Sequence, residues 1–209
     1  MKSLLKNIIK IFLKIIFLVF SNNSLNFWKH YKNTLYSHWI KNAFKSSGKG
    51  FYCKAPIYLK GGKYISIGNN FSTEVGLRIE AWDVFNKVKY SPEIIIGDNV
   101  IFNYDCHIGC INKIVIGNNV LIASRVFITD HFHGEINLNA LNLPPFVRDL
   151  FSKGSVIIED NVWIGEGVVI LPNVRIGKNS IIGANSVVNR DIPANSVAGG
   201  IPSRILKQF

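Results

Sequence analysis

The sequence predicts an all-β protein wound as a parallel β-helix, with a helical appendage at its N-terminus and one loop thrown out of the coil. Three observations predict it. Apolar residues recur at every sixth position without a slip: Ile158, Ile164, Ile170, Ile176, Ile182 and Val188. Two places before each stand the smaller Val156, Val162, Val168, Val174, Ser180 and Ser186, and glycine often follows, at Gly165, Gly177 and Gly183. The beat also runs upstream, through Ile96, Phe102 and Ile108 and again through Ile116, Ile122 and Ile128. A period of six fits neither the about 3.6 of an α-helix nor the about 2 of a simple strand. It fits a chain that makes a short strand, turns, and begins the next flat side of a coil. The apolar residue then points inward, its i−2 neighbour suits the narrow interior, and glycine permits the corner.

The strings SIGNNF, IIGDNV and VIGNNV repeat one corner motif. The shift of two between Ile108 and Ile116 marks a longer corner. With 209 residues, 48% of them hydrophobic, the chain supports one elongated core. We place the coil at residues 51–209 and the appendage at residues 1–50. The three cysteines, Cys53, Cys106 and Cys110, lack paired metal-ligand spacing and read as small buried hydrophobes. Three thiols with no disulfide framework suit a reducing cytoplasm.

Residues 1–20 carry Lys2, Lys6, Lys10 and Lys14 at every fourth position, which on a helix forms one slowly drifting stripe among Leu, Ile and Phe. The interleaved charges fit neither a cleaved signal peptide nor a span, which needs roughly 20 predominantly apolar residues. Two readings stay open. One is a basic amphipathic helix lying on an anionic membrane surface, and the other is a helix packed on the coil or on a partner subunit. Residues 21–50 follow as a second helix and a linker, with His30 and His38 as surface or packing residues. The net charge of +11 raises nucleic acid as a partner, but the basic residues make no RNA-binding motif. Arg175, Lys178, Arg190, Arg204 and Lys207 instead gather near the C-terminus, where they suit a phosphorylated cofactor.

The beat is read as broken once. After Thr129 come Asp130, His131, Phe132, His133 and Gly134, and an insertion over residues 131–155 follows before Val156 restarts the repeat. Long loops on a repeat scaffold are often functional. Two histidines at the root of this loop are candidate general bases.

The string DHFHG, the loop, and the segment over residues 156–207 resemble the hexapeptide-repeat acetyltransferases, most of all the O-acetyltransferases of bacterial surface polysaccharides and sialic acids. The resemblance covers about residues 55–209. It implies a left-handed coil, a homotrimer with sites between subunits, acetyl-CoA as co-substrate and a saccharide acceptor. It implies no metal and no nucleic-acid partner. His131 matches the family's catalytic histidine. Trp163 matches a tryptophan at the thiol end of the cofactor, with Gly165 beside it. Ala184, Asn189, Arg190, Arg204 and Lys207 match positions that meet coenzyme A. Glu74 falls where relatives place an asparagine of the neighbouring subunit. Glu74, Asp130 and Asp105 therefore all stand as partners that would orient His131. His133 and Arg148 are candidates for acceptor binding.

No acyl-enzyme nucleophile is paired with a base: Cys106 precedes His107, but adjacent strand residues point to opposite faces. Direct transfer is the expectation, to a hydroxyl of a glycan or glycan precursor, in the cytoplasm and at the inner face of its membrane. N-acetylation of an amino sugar is the main alternative. A zinc enzyme using His107, His131 and His133, and a non-catalytic membrane-bound scaffold, are weaker ones.

Overall fold

The computed structural model describes residues 2–209. The chain begins with α1 (Lys2–Val19) and α2 (Asn22–Ile40), capped at Ser21, whose hydroxyl accepts the Ser24 N–H. It then winds into a three-sided parallel β-helix. The sides are sheets of six, eight and six short strands, visited in rotation as far as Val187–Val188, and the last two strands both join the second side. Strand Ser46–Ser47 already pairs with Ile65–Ile67, so the coil takes in residues before 51.

The inward residues stack in register. On the first face Ile67, Ile96, Ile116, Ile158 and Ile176 lie one above another. The third face stacks Ile79, Ile108, Ile128, Ile170 and Val188. All ten are buried, as are the i−2 residues from Val156 to Ser186. Each end of the coil would leave an open strand edge and exposed apolar ladder. Ile40 and Phe44 cover the N-terminal end, while the Ser37 hydroxyl accepts the Cys53 N–H at 2.7 Å and donates to the Asn33 carbonyl. The C-terminal strand Arg204–Gln208 lies antiparallel on Ser196–Gly199 and covers the other end.

The corner between the first and second faces differs from the sequence expectation. Its left-handed residue is asparagine, not glycine: Asn70, Asn99, Asn119, Asn161, Asn179 and Asn195 all have φ between 55° and 61°. Asparagine tolerates this region because its short amide bonds locally. Here those amides form a ladder along the coil, each Nδ2 donating to the next Oδ1 at 2.8–3.0 Å. The glycine two places earlier serves close approach. A Cβ on Gly97 would lie 2.6 Å from Asn118 Oδ1 and 2.7 Å from the Gly117 carbonyl oxygen. The residue between them caps the coil before: Asp98 Oδ1 accepts the Asn69 N–H, and Asn118 Oδ1 accepts the Asp98 N–H.

The beat is also broken twice rather than once. Besides the 131–155 insertion, a hairpin of Val84–Phe85 and Val88–Lys89 interrupts the same corner two coils earlier. The two insertions touch. Tyr90 Oη donates to the Leu150 carbonyl at 3.1 Å and accepts the Leu150 N–H at 2.9 Å.

The corner account predicts an order of stabilities. Asn119→Ala loses both ladder bonds and forces a β-carbon into the left-handed region, at a cost of about 1–3 kcal/mol. Asn119→Gly loses the bonds but keeps the conformation and should fall between Ala and the parent in denaturant melts. Equal stability of all three chains would refute the account.

Candidate active site

The third face and the two insertions enclose a cleft of about 310 Å³. Its floor is the outward row of the sheet: Arg78 and Glu80 on strand Arg78–Ala81, His107 and Gly109 on His107–Cys110, and Phe127 and Thr129 on Phe127–Thr129. Its walls are Trp82 and Phe85 from the hairpin and His133 and Leu150 from the loop, with the Phe85 and His133 rings 5.5 Å apart, edge to face. His131 stands where the chain leaves the coil.

Asp130 is fully buried, and four donors converge on its carboxylate. Oδ1 accepts from His131 Nδ1 at 2.9 Å and from the Ile111 N–H at 3.0 Å. Oδ2 accepts from the Asn112 N–H at 2.8 Å and from Cys110 Sγ at 3.2 Å. Burial, and then the charge of Asp130, push the Cys110 thiol up, so it keeps its proton and donates. Donation from Nδ1 fixes the His131 tautomer and leaves Nε2 as a proton acceptor; the side chain is 13% exposed. Of the three carboxylates that stood open as orienting partners, Asp130 is the one that touches His131 within the chain.

A second histidine meets the same floor. His107 Nε2 lies 3.2 Å from Glu80 Oε2, which also accepts from Arg78 Nε at 2.8 Å. Burial holds the His107 imidazole below its ordinary range, Arg78 adds to this, and the Glu80 bond opposes it. Among the described residues no group of three or more His, Cys, Asp or Glu side chains is arranged to hold a metal ion.

The other candidates lie elsewhere in the single chain. Glu74 pairs with Lys54 Nζ at 2.5 and 2.7 Å, which raises the lysine pKa, in a cavity between α2 and the first coils. Arg148 turns into its own loop, donating from Nε to the Leu143 carbonyl at 2.8 Å, and does not line the cleft. Trp163, half exposed, lies on the second face in register with Leu121 and Ile181. Gly165 is stacked so closely on Ala184 that a Cβ would meet the Ala184 nitrogen at 2.7 Å. This flat strip runs on to Arg204 and Lys207, opposite Gly199 and Val197. Asn189 and Arg190 lie at the corner between the third and first faces, beside Arg175 and Asp191. The structure thus brings His131 and His133 together on one face and the Trp163 set on another. Sequence reasoning missed Trp82, Phe85 and Glu80. The signal available for them was the interrupted beat between Ile79 and Ile94.

Comparison with known proteins identifies the scaffold. Residues 155–190 match the family described as bacterial transferase hexapeptide (six repeats). Over 158 residues the chain is 40% identical to the Escherichia coli protein named "Putative lipopolysaccharide biosynthesis O-acetyl transferase WbbJ"; the match spans 74% of this chain and 76% of WbbJ. The chain belongs to the hexapeptide-repeat acyltransferases. The solved galactoside acetyltransferase in complex with coenzyme A superposes on this acyltransferase with a TM-score of 0.56 at 30% identity, covering 82% of this chain and 68% of that one. AntD, an N-acyltransferase from Bacillus cereus solved with a dTDP-amino sugar and coenzyme A, reaches a TM-score of 0.66 at 22% identity, over 82% of this chain and 87% of AntD, and shares the fold. The coil of this acyltransferase is accordingly a left-handed parallel β-helix.

Replacing Asp130 by Asn removes the charge that holds Nδ1 of His131. Turnover in acyl transfer should fall by about 10²–10⁴-fold. Steady-state rates alongside circular dichroism check it, and a folded Asp130→Asn enzyme with parental turnover would exclude Asp130 from the site.

Proposed function

We propose that this acyltransferase is an acetyl-CoA-dependent O-acetyltransferase that esterifies a hydroxyl of a bacterial surface glycan or its precursor by direct transfer. The observation that carries the reading is the Asp130–His131 pair at the edge of an aromatic-walled cleft. His131 Nε2 takes the proton of the acceptor hydroxyl as that oxygen attacks the thioester carbonyl. The carbon–sulfur bond then breaks, and the imidazolium returns the proton to the departing sulfur, leaving an acetyl ester and free CoA thiol. Asp130 stabilises the imidazolium between the two steps. The likeness to WbbJ supports a glycan acceptor, and the ring faces of Trp82 and Phe85 suit the apolar face of a sugar.

The Trp163–Gly165–Ala184 strip fits an extended pantetheine, because Gly165 and Ala184 present at most a methyl group beside Trp163. Arg204 and Lys207 then meet phosphates, with Asn189 and Arg190 as further contacts. His131 and this strip sit on different faces of one chain, so a complete site takes both from two copies. A homotrimer supplies that arrangement and covers the exposed row Ile101, Leu121, Trp163 and Ile181. It also carries Glu74 of one chain toward the cleft of the next.

The N-terminal helix suggests where the enzyme works. The residues of α1 from Ser3 onward are exposed, with Lys6, Lys10 and Lys14 among Leu, Ile and Phe. No helix among the described residues is long and apolar enough to cross a membrane. We place α1 on the anionic inner face of the cytoplasmic membrane, with the lysines at headgroups and the apolar face inserted.

Acetyl transfer from acetyl-CoA to a panel of glycans and activated sugars, read by mass spectrometry, tests the activity. His131→Ala should lower turnover by about 10²–10⁴-fold with acetyl-CoA affinity little changed. Activity surviving in His131→Ala but lost in His133→Ala would move the base to His133, and light scattering of an active monomer would sink the shared site. Removal of residues 1–20 should abolish co-sedimentation with anionic vesicles while leaving transfer to a soluble acceptor intact. A truncated chain that melts early, with a parent that ignores vesicles, would place α1 on the protein instead.

A further inference from the structure

Glu80 sits in the middle of the cleft floor without a role in the chemistry above. Its side chain is 14% exposed. Oε2 is saturated by Arg78 and His107. Oε1 takes no hydrogen bond from a described residue, yet it is not sealed from solvent. The outward row of the third face runs in register from Lys60 through Glu80 and Gly109 to Thr129, two residues before His131. Gly109 is the bare position in that row. A Cβ there would lie 3.2 Å from His131 Cε1 and 3.8 Å from His107 Nε2. The His131 and His107 imidazoles therefore close over Gly109, and His107 stands between Glu80 and the base. Strands stack about 4.8 Å apart, so Glu80 and Thr129 are roughly 10 Å apart along the row, and a sugar ring lying over the two imidazoles reaches both Glu80 and the base.

The geometry points to Glu80 as a specificity-determining residue, whose free Oε1 accepts a hydroxyl of the acceptor ring while another hydroxyl of that ring is presented to His131. The inference rests on the glycan O-acetyltransferase reading and narrows its substrate class. A carboxylate accepts sugar hydroxyls through charge-assisted bonds, which are the stronger kind. It also repels an acidic group at the same place. Arg78 offsets part of that charge, but it spends Nε and one terminal nitrogen on Oε2, which leaves Oε1 as an acceptor that offers an acidic group no donor. The acceptor ring is accordingly a neutral sugar bearing free hydroxyls, not a uronic or sialic acid. His107 acts through Glu80 as a positioning residue, holding the carboxylate so that Oε1 faces the cleft.

The experiment measures initial rates of the full chain with acetyl-CoA and two sets of soluble acceptors, methyl glycosides of neutral hexoses and of uronic acids. The parent should favour the neutral set. Glu80→Ala should raise KM for the neutral acceptors by about tenfold or more, hold KM for acetyl-CoA within about twofold, and narrow the preference over uronic acids. Glu80→Gln, which keeps an accepting oxygen, should stay nearer the parent on neutral acceptors. Thermal melts report folding. If Glu80→Ala does not fold, the isosteric Glu80→Gln asks the same question, because loss of the carboxylate charge should still narrow the preference over uronic acids. Transfer that prefers uronic acids, or an acceptor KM indifferent to both substitutions, overturns the role of Glu80 alone. A parent chain that acetylates no sugar overturns the O-acetyltransferase reading and this inference with it.

Discussion

Successive coils of this protein stack at the spacing of paired β-strands, about 4.8 Å, and the first corner has to close within that spacing. Two requirements follow at every turn. The position that faces the next coil edge-on leaves little room for a side chain, which is why Gly68, Gly97, Gly117 and Gly177 recur there, with Glu159 and Pro193 in two coils. The position that reverses the chain must sit in the left-handed region and still bond outward, which asparagine does. The amide ladder then ties each corner to its neighbours, so the register of every strand is set by the coil beneath it. With the interior and this corner fixed, the outward positions of the sheets are free to carry chemistry.

The candidate site uses the place where the regularity fails. In an unbroken coil the N–H groups of Ile111 and Asn112 would meet carbonyls of the coil above. The chain departs into its insertion at that point, and buried N–H groups must find other acceptors. The Asp130 carboxylate takes both and has room for His131 and for the Cys110 thiol. The group that repairs the interrupted coil is thus the group that orients the histidine, and structure and proposed chemistry share one residue.

The coil was legible in the sequence because it repeats: an apolar residue every sixth place constrains each strand many times over. His131 was legible through the string around it. Its partner Asp130 was legible only as one of three candidate carboxylates, because the donors that hold it come from 18 to 20 residues earlier. A candidate contact at that separation is invisible until the coils are stacked. Arg148 had the charge of an acceptor-binding residue, but the fold of its own loop captured it through backbone carbonyls. Trp82 and Phe85 were hidden in a second interruption short enough to pass for irregular spacing. The asparagines were read as part of a motif whose glycine made the corner, because both residue types favour positive φ and only coordinates separate the roles.

The paired bonds between Tyr90 and Leu150 join two insertions that leave the coil at the same corner, after Ala81 and after Thr129. One supplies Trp82 and Phe85 to the cleft, and the other supplies His133. Each wall is braced by the other, so the proposed acceptor pocket is a two-part cassette on a regular spool. Lineages diverging toward new sugars would have to revise both inserts in concert, and a transplant of either alone would arrive without its brace.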